Sequence, residues 1–99
     1  MKHRFHPEAS HEYREQVQYY ESRRQGLGRE FVAEVERTIG RVCLFPERYR
    51  VEVIPDIRSL SVPGFPVRVI YIVIDDWVQV LALAHTRRRT GYWATRIGG

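Results

Sequence analysis

The chain has 99 residues, enough for one domain near the lower end of the common size range. Hydrophobic residues make up 43% and charged residues 28%, a balance that excludes a disordered composition, and no apolar run approaches the roughly 20 residues of a membrane-spanning helix. The formal net charge of +4 lies wholly at one end: basic and acidic residues cancel up to residue 76, and the excess is Arg87, Arg88, Arg89 and Arg96, with no acid beside them.

In chain order, "KHRFHP" (2–7) reads as a short strand ending at Pro7. Proline suits the first turn of a helix and Glu8 suits its positive end. Ala9, Tyr13, Val17 and Tyr20 then recur at helical spacing. "QGLG" (25–28) supplies glycines to turn the chain. Phe31, Val35, Ile39 and Val42 form a second helical stripe, with Val32 beside it, and Pro46 in "FPERYR" ends that helix. Two helices joined by a short glycine connection predict an antiparallel hairpin.

The period changes in the second half. "DIRSLSV" (56–62) reads as a strand and "PGFP" (63–66) as a turn. "VRVIYIVI" (67–74) and "WVQVLALAHT" (77–86) are β-branched and aromatic, with Asp75-Asp76 as a tight hairpin turn between them. Both strands are apolar on both faces, whereas a half-solvated antiparallel sheet alternates apolar with polar. Two helices cover one face. The other needs sheet curvature, the C-terminal segment or another chain.

The chemistry-bearing residues gather at the end of the last strand, in "LALAHTRRRTGYW" (81–93). A localised basic end points to an anionic partner. Fifteen of the 16 basic residues are arginine, which grips carboxylate and phosphate in a fork and is a poor proton acceptor; a coding bias gives the same ratio. If Asp75-Asp76 is a two-residue turn, Arg68 falls opposite Leu83, with His85 as its diagonal neighbour on one face. Residues 85, 87 and 89 share a side of an extended stretch, so Arg68, His85, Arg87 and Arg89 converge on one groove, and Arg88 faces away. The plainer alternatives are an Arg68 that reaches water past Pro66 and a His85 that merely ends a strand.

Cleaving RNA through its own 2′-hydroxyl needs a base, an acid and a stabilised phosphate. Arginines supply only the last. Histidine is the side chain suited to proton transfer near neutrality, which singles out His85; Tyr92 joins it if neighbouring arginines lower its pKa. Tyr92 and Trp93 also offer stacking surfaces for unpaired bases, though the simpler role for Trp93 is to anchor the tail. No metal spacing is present: His3 and His6 fall on opposite sides of a strand, and "HEYRE" (11–15) lacks the second histidine of a zinc-protease helix. No phosphate loop or dinucleotide fingerprint occurs. Cys43, the one cysteine, permits no internal disulfide and reads as a buried small residue. "MKHRFHPEAS" has no apolar stretch of the secretory kind, so the cytoplasm is the expected compartment.

The order of these words resembles the RelE/ParE superfamily of toxins from bacterial type II toxin–antitoxin modules. It runs from a strand through a helical hairpin with "GLGREF" and then "FPERY" to "PGFPVRVIYIV" and "VLALAHTRRRTGYW", and covers about residues 2–93. The resemblance implies a single α+β domain over 1–99: a short N-terminal strand, an antiparallel helical hairpin and a curved antiparallel sheet. It implies a cognate antitoxin partner. In RelE-like members it implies entry into the ribosome and cleavage of mRNA without metal or cofactor. Arg68, Arg87 and Tyr92 then match the catalytic arginines and terminal tyrosine, and His85 has a counterpart in histidine-using relatives. Arg58, Arg88, Arg89 and Trp93 are the expected nucleic-acid contacts. The best-known nucleases carry lysines in the second strand, where "VEVIPDIRSLSV" (51–62) has Arg58 and no lysine. ParE-like members instead inhibit DNA gyrase without a nuclease site, and a histidine followed by an arginine is common to both branches. No membrane partner is implied.

Overall fold

The computed structural model describes residues 1–53 and 55–97. The order is β1 (Lys2–Phe5), α1 (Pro7–Arg23), α2 (Leu27–Leu44), β2 (Arg50–Val53), β3 (Ile57–Ser61), β4 (Val67–Ile74), β5 (Trp77–His85) and a short 3-10 turn, Ala94–Arg96. Two helices and five strands form an α+β fold, as expected. The sheet is mixed, not wholly antiparallel: its order is β1-β5-β4-β3-β2, and β1 lies parallel to β5 while the other pairs are antiparallel. A four-residue strand carries no signal of its direction, so this pairing was not visible in the pattern.

Local chemistry sets the helix ends. The His6 side chain accepts from the Glu8 N–H at the start of α1, and Pro7 takes the first helical position. Gly26, with φ of 88°, turns the chain into α2. The Glu21 carboxylate accepts from the N–H groups of Gly26 and Gly28 at that helix start. Those backbone hydrogen bonds hold its pKa below the usual carboxylate value. Gly28 also lets the helices approach, since a Cβ there would meet the Val17 carbonyl at 2.9 Å.

The core has two parts, one on each face of the sheet. Phe31, Val35, Ile39 and Val42 of α2 and Ala9 and Tyr20 of α1 pack on Val67, Val69, Tyr71, Val78, Val80 and Leu83. On the other face Ile57, Ile70, Ile72, Leu81 and Ala82 pack against Trp93, which is 2% exposed. Of the three possible covers for that second face, the C-terminal segment is the one observed.

Asp75 and Asp76 both adopt positive φ (51° and 64°), a two-residue hairpin turn in which Ile74 pairs with Trp77. The expected register holds back to Tyr71 and then shifts at a β-bulge: Tyr71 pairs with Val80 but Ile70 with Ala82, leaving Leu81 as the extra residue. Arg68 therefore faces Ala84 across the ladder, not Leu83, and His85 pairs with Val67. β2 is an additional edge strand whose Val51 and Val53 are exposed; with no core stripe to mark it, it escaped the sequence pattern.

Candidate functional site

A cleft of about 190 Å³ opens on the face of the sheet turned away from the helices. β4 contributes Arg68 and Ile70, β2 contributes Arg50 and Glu52, and the end of β5 with the following segment contributes His85, Arg88, Arg89, Tyr92 and Trp93. The chain reaches this position because β5 ends in a turn. There Thr86 N–H donates to the Pro66 carbonyl and Arg88 N–H to the His85 carbonyl.

Arg68 is anchored by two serines of the neighbouring strand. Its Nε and Nη2 donate to Ser59 Oγ at 3.0 and 2.8 Å, and its Nη1 donates to Ser61 Oγ. Ser59 Oγ in turn donates to Glu52 Oε1 at 2.6 Å, while Arg68 Nε stands 3.5 Å from that oxygen. Arg68 thus borders a cleft and is partnered, which answers the cost of placing a charge in an apolar strand.

His85 lines the same cleft, but its Nδ1 accepts the Arg87 backbone N–H at 3.1 Å. That contact ties the ring to the backbone of the turn that follows β5. Tyr92 is also engaged. Its hydroxyl donates to Glu12 Oε2 at 2.8 Å, and its ring lies 3.9 Å beneath the Arg88 guanidinium and 5.0 Å from that of Arg96. Burial, followed by the hydrogen bond to Glu12 and that carboxylate's charge, pushes its pKa well above the usual phenol range; the arginines pull the other way and lose.

The sequence-singled residues thus divide. Arg68, His85, Arg88, Arg89, Tyr92 and Trp93 come together at the cleft. Arg88, expected to face away, is a wall of it, whereas Arg87 is exposed and does not line it. Arg58 lies elsewhere: it pairs with Tyr71 across the ladder and donates to the Tyr49 carbonyl. Trp93 is buried as an anchor of the tail.

Glu12, which the sequence reading passed over, organises the site from behind. It is 8% exposed and accepts from Leu83 N–H, from Tyr92 Oη, and from both terminal nitrogens of Arg96 at 3.0 Å. The reason lies in the sheet. β1 stops at Phe5, so β5 beyond Val80 has no strand beside it on that side. Side chains fill the gap: Arg96 Nη1 donates to the Leu81 carbonyl, Glu12 accepts from Leu83 N–H, and Gln16 Nε2 donates to the Leu83 carbonyl. A signal was present, because Glu12 and Gln16 fall on the same helical stripe as Ala9, Tyr13, Val17 and Tyr20.

The cleft can bind an oxyanion through a fixed fork and adjacent cations. Among the described residues no three His, Cys, Asp or Glu side chains cluster as metal ligands.

No protein-family model and no curated protein sequence matches the chain. A chain from the solved structure of the chromosomal ParDE toxin–antitoxin system from P. aeruginosa is similar to it, with a TM-score of 0.73 at 15% identity over 86% of this chain and 95% of that one. The strand, helical hairpin and sheet seen here are a ParE-like α+β fold.

Proposed function

We propose that the chain is the toxin of a bacterial type II toxin–antitoxin module, restrained by a cognate antitoxin, and that it acts by binding its target and not by cutting RNA. Three things support the toxin reading: the ordered motifs, the fold shared with a chain of the ParDE system, and the cationic cleft formed by the C-terminal arginines. One observation carries the choice of action: the wall groups able to move a proton are held by contacts within the chain, Glu52 by Ser59 and Arg68, and His85 and Tyr92 in their own ways. His85 Nδ1 is held by the Arg87 N–H, and the Tyr92 hydroxyl donates to Glu12 with its pKa raised. The remaining polar groups of the walls are mainly arginines, which stabilise negative charge but do not accept a proton. On this reading the target is DNA gyrase and the compartment is the cytoplasm.

The test runs two assays in parallel on the purified chain, gyrase supercoiling and message cleavage in a translating extract. Supercoiling should be inhibited while the message stays intact. Cleavage that His85→Ala or Tyr92→Phe slows at least about a hundredfold, the range of a lost proton-transfer group, would overturn the binding reading in favour of a ribosome-dependent endoribonuclease.

A further inference from the structure

Glu52 has no place in a cleft built only to attract anions. Among the described residues lining the cleft it is the one acid, facing Arg50, Arg68, Arg88 and Arg89. Its side chain is 13% exposed, and its Oε1 lies 3.5 Å from Arg68 Nε and 3.7 Å from Arg50 Nε. Both separations exceed the roughly 2.7–2.9 Å of a close charge-assisted hydrogen bond. The short contact is to Ser59, which passes the interaction on to Arg68. The carboxylate therefore neutralises Arg68 without filling its fork.

The backbone around Glu52 is suited to movement. β2 is an edge strand, and its pairing with β3 shifts register between Val51 and Val53, with Val51 opposite Arg58 and Val53 opposite Ile57. Glu52 is the extra residue of that irregularity. Bulges of this kind aim a side chain while leaving it out of the ladder. Turning Glu52 away would cost the Ser59 contact and the looser ion pairs with Arg50 and Arg68, and leave the backbone pairs on either side in place.

We propose that Glu52 is the resident anion of an oxyanion-binding site centred on Arg68, and that an incoming carboxylate or phosphate group takes its place. Ser59 and Ser61 keep the guanidinium oriented throughout, and Arg50 and Arg88 flank the incoming group. Glu52 then acts as an internal competitor, so that only a ligand which also engages the neighbouring arginines displaces it. The proposal rests on reading the cleft as the contact surface, but its test uses no gyrase, so failure to inhibit supercoiling leaves it standing.

The experiment titrates the full chain with inorganic phosphate, and separately with acetate, at constant ionic strength, following the Arg68 Nε–Hε resonance. Removing a charge this close is worth about a tenfold tightening of phosphate binding in Glu52→Gln. Glu47→Gln makes the same charge change at an exposed position outside the cleft and should leave binding unaltered. Equal effects of the two substitutions, or none from either, would overturn the proposal. A second reading needs no variant: in the unmodified chain the Glu52 carboxyl carbon resonance should move with the same midpoint as Arg68. A Glu52 signal that stays still while Arg68 responds would also overturn it. Preference for acetate or for phosphate in Glu52→Gln supports the site either way, and identifies the incoming acceptor group as a carboxylate or a phosphate.

Discussion

Glu12 shows how one side chain can decide whether a site exists. Its carboxylate replaces the missing strand beside Leu83, orders Arg96 and fixes the Tyr92 hydroxyl, and Tyr92 in turn supports Arg88 at the cleft wall. Removing it leaves the Arg96 guanidinium with only the Leu81 carbonyl and no counter-charge, and a backbone N–H and a phenol without their acceptor, in a largely buried place. Glu12→Ala should therefore cost about 3 kcal/mol, the scale of a broken buried ion pair. Tyr92→Phe loses one hydrogen bond and leaves Glu12 its other donors, at about 1 kcal/mol. Urea unfolding of the two variants checks the order; equal losses would mean that Glu12 matters only through Tyr92. The arginines and aromatics of the tail were legible as a group because they break the composition of the chain. Their engagement was not, because it depends on a carboxylate 80 residues away in sequence.

Among the elements, the β4–β5 hairpin was legible at its turn and illegible at its far end, for one physical reason. The strands announce themselves by β-branched and aromatic residues, and Asp75-Asp76 marks the turn. Leu81, Ala82, Leu83 and Ala84, however, are all apolar, so alternation carries no phase there. A bulge can enter without placing a polar residue on an apolar face. That one-residue shift moved Arg68 from Leu83 to Ala84 and His85 onto the register of Val67. The helices were read more fully, because their stripes keep one period throughout; α2 buries Phe31, Val35, Ile39 and Val42 as the spacing required. The turn itself is not optimised. Positive φ at both central positions favours Asn-Gly over Asp-Asp, since glycine adopts it without steric cost. The double substitution Asp75→Asn, Asp76→Gly should raise stability by about 0.5–1 kcal/mol. It should appear as a higher denaturant midpoint with an unchanged slope. A lower midpoint would mean that the aspartates make compensating interactions.

For the whole molecule, the tail turns a two-layer protein into a three-layer one: helical hairpin, sheet, and a strap of residues 86–97. The strap answers a question that the sequence left open, namely what covers the second apolar face of the central strands. Trp93 packs on Ile57, Ile70, Ile72, Leu81 and Ala82, and Arg96 fastens the segment to α1 and to the exposed edge of β5. The charge count changes meaning with it. Of the four arginines that make up the formal excess, Arg96 is paired with Glu12, and Arg88 lies over Tyr92 near the same carboxylate. The basic character offered to a partner is therefore that of Arg88 and Arg89 at the cleft and of Arg87 exposed outside it, all carried by a strap whose hold is largely apolar. Trp93→Ala removes that hold. The loss should be about 3–5 kcal/mol, the range for emptying a buried aromatic site, with new exposure of the sheet's second face. Calorimetry would register it as a lowered Tm, and a hydrophobic dye should bind the variant but not the parent chain. If a second polypeptide were the true cover of that face, the parent would bind the dye as well and the substitution would alter neither measurement.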